Sequence, residues 1–205
     1  MHGKSYYKII SALKSLNLKF DSVSPEEATS HDSHLVITTR AEKPKISHRN
    51  ILLDSELDEE PALIRARILR SLMGRFQDDQ LIIGIDPGRR IGLAAFYLQK
   101  EIESRVITST RAAADLVTVL VRGTISRKKL VRIGFGDPVM ARSIAEMIYA
   151  RFKDQVTIEF VNEHGTSSSV RTVDSNRRGV RDRVSARVIA LRKGRVFRPM
   201  VRVRN

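Results

Sequence analysis

The strongest constraint in this sequence is an apolar stretch, residues 81–96, which one acidic residue and a turn interrupt. Residues 81–85 are almost continuously apolar and too few for a helix, so they predict a buried β-strand. Pro87 and Gly88 end that strand and turn the chain. Residues 91–97 are apolar again, and the whole stretch therefore predicts a β-hairpin.

The acidic residue, Asp86, closes the first strand of this hairpin. A carboxylate at the end of a buried strand costs free energy unless it is paired, hydrogen-bonded or bound to a cation. We therefore expect a compensating group near Asp86 in the folded chain. The alternative interpretation is an aspartate that only caps the backbone amides of the Asp-Pro-Gly turn.

Positive charge is confined to the second part of the chain. Residues 1–80 contain 12 basic and 12 acidic side chains, whereas residues 81–205 contain 25 and 11 and so carry the whole net charge of +14. The excess is greatest in residues 171–205, with 12 basic and 2 acidic side chains. Such a distribution indicates a polyanionic partner, most often nucleic acid. A basic surface that serves only solubility is the alternative.

Composition also limits the compartment and the kind of site. The chain has no cysteine, which excludes disulfides and thiolate metal sites and fits a cytoplasmic protein. No apolar run approaches the ~20 residues that span a bilayer, and the N-terminus lacks the apolar core of a signal peptide. We therefore expect no membrane partner.

Residues 1–78 predict a small α/β domain. This part contains no glycine-rich phosphate loop and no catalytic constellation, and His31 and His34 are interpreted as solvated loop residues. We expect the domain to recognise a partner or to cover the second domain. The predicted helices occupy residues 6–16 and 58–73, and the predicted strands occupy residues 18–23, 34–39 and 51–53.

Residues 81–205 predict a second, strongly basic domain in which three antiparallel strands precede alternating α/β units. This is the element order of the ribonuclease H-like fold, a mixed sheet with helices packed on it. After the hairpin we expect strands at 101–108, 130–135 and 156–161, helices at 111–122 and 138–152, a loop at 165–181, and a last helix that Asp182 opens.

Acidic residues follow the strands of this predicted sheet. Asp86, Asp137 and Glu163 lie at strand ends, and Asp182 lies at the start of the last helix. Ligands of open α/β sheets bind beyond the carboxyl ends of the strands, so these acids are expected to converge. Each also has a simpler interpretation, because Asp137 and Asp182 suit helix N-caps and Glu163 could pair with a loop arginine.

Converging carboxylates repel one another, and Mg²⁺ or Mn²⁺ would remove that repulsion. Two such ions ~4 Å apart can activate water and stabilise the leaving oxygen of a phosphodiester. Arginines near these acids would hold the phosphate backbone that the acids repel. The candidates are Arg89, Arg90, Arg177, Arg178, Arg181 and Arg183.

Three motifs resemble one known family. Residues 84–94, Gly-Ile-Asp-Pro-Gly-Arg-Arg-Ile-Gly-Leu-Ala, resemble the first-strand motif of the RuvC/YqgF group of ribonuclease H-like nucleases. Residues 160–167, Phe-Val-Asn-Glu-His-Gly-Thr-Ser, are similar to the YqgF segment Phe-Val-Asp-Glu-Arg-Leu-Thr-Ser. Residues 182–191 resemble the last-helix motif of that group. The motifs stand in the family's order, and the resemblance covers about residues 81–193.

The resemblance implies that Asp86, Glu163 and Asp182 bind the catalytic metal ions. The sequence departs from the family where Asn162 replaces an acid and His164-Gly165 replaces Arg-Leu. Asp137 stands where YqgF members have a Gly-Leu-Pro turn. Since an acid follows that strand in RuvC, Asp137 could substitute for Glu163 or join it.

The function expected from these features is that of a Holliday-junction-resolvase-like endonuclease that uses Mg²⁺ or Mn²⁺ on branched DNA or structured RNA. Symmetric cleavage of a two-fold junction would favour a homodimer. The alternative, suggested by Asn162, is a catalytically inactive nucleic-acid-binding module. Half of an actin-like phosphotransferase is less favoured, because residues 1–80 do not repeat the pattern of residues 81–205.

Overall fold

The structure is a computed structural model of the 205-residue chain, and it describes residues 3–57, 59–73, 79–162 and 178–199. The chain forms two compact units, Met1–Gln77 and Asp78–Asn205. In the sequence, the division between the units falls close to the point where the composition changes. Within the described ranges, none of the helices has both the length and the apolar character that crossing a membrane requires.

The first unit contains helices around a two-stranded parallel sheet. Ile9, Leu13, Leu52, Ile64 and Ile68 are buried together in its core. The elements are α1 (Gly3–Ser15), α2 (Pro25–Ala28), β1 (Val36–Thr38), β2 (Ile51–Leu53) and α3 (Pro61–Met73), with single 3₁₀ turns at Lys43–Lys45 and Asp54–Glu56.

The strand predicted at residues 18–23 is wrong, because this segment adopts no regular structure. The segment is short and lies between two helices. Asn17, with φ 54°, ends the turn after α1, and Ser24 then caps α2 by accepting a hydrogen bond from the Glu27 amide. A strand also needs a backbone partner. The two strands described in this unit, β1 and β2, pair with each other and not with residues 18–23. The other predicted elements of this unit are confirmed to within a few residues.

The second unit is built on a mixed six-stranded sheet, as its element order predicts. The strand order is β5-β4-β3-β6-β7-β8, in which β3 is antiparallel to β4 and parallel to β6. The elements are β3 (Gln80–Asp86), β4 (Ile91–Tyr97), β5 (Lys100–Ile107), α4 (Thr110–Gly123), β6 (Lys128–Gly134), α5 (Pro138–Phe152), β7 (Thr157–Val161), α6 (Arg178–Leu191) and β8 (Arg195–Val196).

Helix α6 packs on the middle of this sheet because two glycines allow a very close approach. A Cβ atom on Gly84 of β3 would lie 2.1 Å from the carbonyl oxygen of Ala186. A Cβ atom on Gly92 of β4 would lie 2.0 Å from the carbonyl oxygen of Asp182. No real side chain tolerates such distances to backbone atoms, so these positions require glycine wherever α6 keeps this place.

The opposite face of the sheet is the apolar core of the unit. Successive residues of a strand alternate between faces, so Ile83 and Ile85 point away from α6. Both side chains are fully buried. Helices α4 and α5, which pack against each other, cover this face. Both faces of β3 are therefore covered, as the continuous apolar run predicts.

Two features of this unit differ from the sequence-based expectation. Helix α6 begins at Arg178, so Asp182 lies inside the helix and is not its N-cap. Strand β8 was not expected, because it has only two residues and both are exposed. It forms because its backbone pairs with β7, where Phe160 lies opposite Arg195.

The close packing of α6 predicts the effect of adding one methyl group. Gly84→Ala places a side chain against backbone atoms that cannot move aside, and we expect a loss of about 2–3 kcal/mol in the free energy of unfolding. Gly88→Ala is the matched control, since its nearest new contact is 3.4 Å away, and we expect a change within about 0.5 kcal/mol. Urea unfolding measures both. Equal stability of the two variants would contradict the packing described for α6.

Candidate functional site

The carboxyl edge of the sheet places Asp86 on the face covered by α6. Asp86 lies directly opposite Gly92 in the antiparallel pair of β3 and β4, and directly opposed residues point to the same face. Gly84, two residues earlier on β3, faces α6 as well. The half-buried Asp86 side chain therefore leaves the sheet on the side of α6.

Asp182 reaches the same place from the distant end of the sequence. Its carbonyl group packs on Gly92, the cross-strand neighbour of Asp86. Its side chain is half-buried. Asp182, Ala186 and Ala190 follow one another at intervals of four and form the side of α6 that contacts the sheet. The structure thus brings the Asp86 and Asp182 positions together, and the interpretation of Asp182 as a helix N-cap is wrong.

A buried ion pair fixes the other end of α6. Arg132 of β6 donates to the Glu159 carboxylate of β7 at 2.9 Å and to the carbonyl oxygen of Ala190 at 2.6 Å. The backbone amide of Gly194 donates to the same carboxylate at 3.1 Å. Arg132 thereby satisfies a carbonyl in the last turn of α6, which has no partner within the helix.

A second ion pair ties the middle of α6 to the edge strand β5. Arg187 makes a two-pronged contact with Glu101, with 2.8 Å between Nη2 and Oε1. Hydrogen bonding to Glu101 raises the pKa of Arg187 above its ordinary value, although partial burial opposes this shift. The two ion pairs and the two glycines together determine where Asp182 lies along the sheet.

Asp137 lies at the same edge but already has a structural role. It follows β6, which runs parallel to β3 with Ile133 opposite Ile85. Its Oδ1 accepts a hydrogen bond of 3.0 Å from the Met140 amide and so caps α5. The simpler interpretation of Asp137, a helix N-cap, is therefore confirmed. Its second carboxylate oxygen has no partner in that cap.

Several predicted site residues lie outside the described part of the chain. Glu163 and Arg177 fall in residues 163–177, and so does most of the predicted loop. The last residue described before this gap is Asn162, which is exposed and follows the end of β7. The predicted role of Glu163 as second metal ligand therefore stays a prediction.

The described arginines are placed around the acids. Arg89 and Arg90 are exposed in the turn between β3 and β4, and a Cβ atom on Gly179 would lie 4.0 Å from the Arg90 guanidinium. Arg90 thus reaches the first turn of α6. On that helix Arg181 is exposed and Arg183 is half-buried, whereas Arg178 is described only by its backbone.

Where the structure describes the chain, no group of three or more acidic or histidine side chains is placed to hold a metal ion. The backbone of Asp182 packs on Gly92, the cross-strand neighbour of Asp86, and a ligand set built on these two acids would need a further oxygen donor. His31 is half-buried beside Asp21, 3.7 Å away, and His34 is exposed. Neither histidine belongs to such a group.

The first unit contains a cleft that the sequence did not predict. Its volume is about 420 Å³, and Tyr6, Leu13, Phe20, Ile37 and Leu72 are among the residues that line it. The irregular segment 18–23 forms one wall. Because a pocket is formed by segments distant in sequence, no local pattern could have indicated it.

Comparison of the sequence with protein-family models found no matching family, and comparison with curated proteins found no match. Function is therefore inferred from the placement of the side chains described above.

The ion pair beneath α6 yields a prediction about stability. Arg132→Met leaves the Glu159 carboxylate largely buried without its partner, and we expect a loss of about 3 kcal/mol in the free energy of unfolding. The double variant Arg132→Met, Glu159→Met should recover most of this loss, because apolar replacement of a buried pair is nearly neutral. Chemical denaturation measures each.

The control for this prediction is Arg111→Met. Arg111 makes an exposed contact with Asp115 at 3.6 Å, and such pairs contribute less than about 1 kcal/mol. A loss in Arg132→Met no greater than in this control would show that the buried pair does not hold α6 in place.

Proposed function

We propose that residues 78–205 form a ribonuclease H-like domain that binds branched DNA or structured RNA and hydrolyses phosphodiester bonds with the help of Mg²⁺ or Mn²⁺. The observation that carries this proposal is that the backbone of Asp182 packs on Gly92, the cross-strand neighbour of Asp86, on one face of the sheet. Two carboxylates at such a place suit a hard cation, which removes their mutual repulsion.

The sheet supports the same proposal. Three consecutive antiparallel strands precede two parallel strands, and helices connect β5 to β6 and β6 to β7. The carboxyl ends of β3, β6 and β7 share one edge, since β3 is parallel to β6 and β6 is parallel to β7. Open α/β sheets bind ligands beyond this edge.

In the proposed reaction Asp86 and Asp182 would hold the metal, and the second carboxylate oxygen of Asp137 or the carboxylate of Glu163 would complete the ligand set. When bound, the metal would polarise the phosphodiester and lower the pKa of a water. Arg89, Arg90 and Arg181 hold the phosphates on either side of the reacting one. Their charges offset the repulsion between the acids and the substrate, which lets a polyanion approach.

One observation favours the alternative, a domain that binds nucleic acid without cleaving it. The described residues hold no group of three potential metal ligands, and Asp137 uses one oxygen to cap α5. A site with two carboxylates binds Mg²⁺ weakly unless substrate phosphates and waters complete its octahedral shell. The two functions differ in turnover and not in binding.

Cleavage assays distinguish the proposed nuclease from a domain that only binds nucleic acid. With Mn²⁺ or Mg²⁺ and a labelled four-way DNA junction or a structured RNA, we expect cleavage by the wild-type protein. Asp86→Asn and Asp182→Asn should each reduce the rate about a hundredfold or more, because a catalytic metal contributes several kcal/mol to transition-state stabilisation. Circular dichroism of each variant checks that the fold is retained.

The matched control is Asp154→Asn. It removes the same charge from an exposed position just before β7, at the amino ends of the parallel strands and so away from Asp86. We expect it to cleave as the wild type does. If the protein binds both substrates but cleaves neither of them with any metal, the nuclease proposal is wrong and the non-cleaving nucleic-acid-binding domain is supported. Equal rates in Asp86→Asn and Asp154→Asn would refute the assigned site.

A further inference from the structure

We propose that a second cationic surface on this unit binds the phosphate backbone of a nucleic-acid duplex at a distance from Asp86 and Asp182. This inference rests on the proposed function for the nature of the partner and names the duplex flank of the substrate as what is bound. The second surface consists of Arg192, Lys193, Arg195 and Arg198, and we call it the C-terminal cationic surface.

These four cations follow α6 and are carried on a fixed backbone. Residues 192–198 contain no acidic side chain. The Gly194 amide is held by Glu159 at 3.1 Å, and the Phe197 ring packs on Phe160 with 5.5 Å between ring centroids. Lys193, Arg195 and Arg198 are exposed and Arg192 is half-buried. The cations are thus presented to solvent from a segment that a hydrogen bond and a ring contact attach to β7.

The charges of this surface are not neutralised within the described residues. Some other arginines of the unit are paired, as Arg151 is with Asp115 at 2.6 Å and Arg187 is with Glu101. No described carboxylate pairs with any cation of the C-terminal cationic surface. A positive potential therefore persists here, and it attracts phosphates most strongly at low ionic strength.

Protection of the sheet edge does not explain so many cations. Edge strands do carry charge to prevent pairing with other chains. The opposite edge strand, β5, achieves this with both signs, since Lys100 and Arg105 stand among Glu101 and Glu103. Strand β8 has only two residues, yet the segment around it carries four cations. The excess points to a ligand.

The arrangement of the cations suits two rows of phosphates. Val196 lies opposite Glu159, which faces α6, whereas Arg195 lies opposite Phe160 and faces the other side. Phe197 follows β8, donates its amide to the Ile158 carbonyl oxygen at 2.8 Å and packs on Phe160, so we expect the next residue, Arg198, on the face of Val196. Cations on both sides of one edge strand can contact the two phosphate rows that border the groove of a duplex.

A duplex is favoured over a single strand. Proteins that bind single strands stack the bases on exposed aromatic side chains. In the described residues of this unit, the exposed large apolar side chains are all aliphatic. They are Val119, Ile125, Val139, Leu191 and Val196. This surface therefore offers cations to phosphates and, in the described residues, no exposed aromatic side chain on which bases could stack.

The length of α6 predicts how far the duplex must extend. Asp182 and Leu191 are separated along the helix by about 14 Å, at 1.5 Å per residue. Duplex DNA rises about 3.4 Å per base pair. A duplex arm must therefore extend at least about four base pairs from the reacting phosphate before its backbone reaches the C-terminal cationic surface.

The test measures binding by fluorescence anisotropy over a series of salt concentrations, in EDTA so that no cleavage occurs. The probes are junctions with arms of about 12 and about 3 base pairs. The variant R192Q/K193Q/R195Q/R198Q is compared with R111Q/R127Q/K128Q/R142Q, which removes the same charge from exposed positions on α4, at the start of β6 and just before it, and on α5. Thermal unfolding checks that both variants fold.

For the long-armed probe, we expect the first variant to lower the slope of log affinity against log salt by about 3–4, since each lost phosphate contact contributes about 0.9. The second variant should lower it by less than about 1. The preference of the wild type for long arms should vanish in the first variant alone. The single variants Arg195→Gln and Arg198→Gln should each lower the slope by about 0.9.

Equal losses in the two quadruple variants would overturn the inference, as would equal wild-type affinity for long and short arms. Binding to phosphatidylserine vesicles in place of the duplex would overturn it too. Because no cleavage is measured, failure of the nuclease proposal is recognised separately, by the Asp86→Asn assay. A protein that never cleaves but shows these differences retains the surface and loses only the enzymatic activity.

Discussion

The second unit depends on the contact between α6 and the backbone of two glycines. At Gly84 and Gly92 the helix approaches the sheet so closely that a methyl group would overlap its carbonyl oxygens. Ion pairs from Arg132 and Arg187 hold the rest of α6 in the same register. A shift of the helix by one turn would move Asp182 about 5.4 Å along its axis, away from the neighbour of Asp86. The candidate site therefore exists only as long as this packing does.

Electrostatics accounts for the unusual combination of acids within a basic unit. A net charge of +14 favours a polyanionic partner, whereas carboxylates at the ends of the strands would repel the phosphates of the proposed nucleic acid. Both facts are compatible if a cation joins the acids and if arginines such as Arg90 and Arg181 flank them. The proposed role of the C-terminal cationic surface follows the same reasoning, because its cations, which pair with no described carboxylate, lie apart from the acids and would hold a different part of the same ligand.

The fold and the site were not predictable to the same degree. The hairpin of β3 and β4, the strands that follow and the helices α4 and α5 were predicted within about two residues, because apolar periodicity and helix caps are local properties. Local patterns failed at residues 18–23, where no partner strand is available, and at β8, which exists only through pairing with β7. They also misplaced the start of α6, where Asp182 was interpreted as the cap.

By itself the sequence determined that a buried strand ends in an acid, that the charge lies in the second unit and that the strands alternate with helices in a given order. Only the tertiary structure decided which acids share a face, that Asp137 caps α5, and that Arg132 and Glu159 lie together beneath α6. The physical reason is that propensity and periodicity act over a few residues. Proximity between residues such as Asp86 and Asp182 depends on strand register and on how closely two backbones can pack.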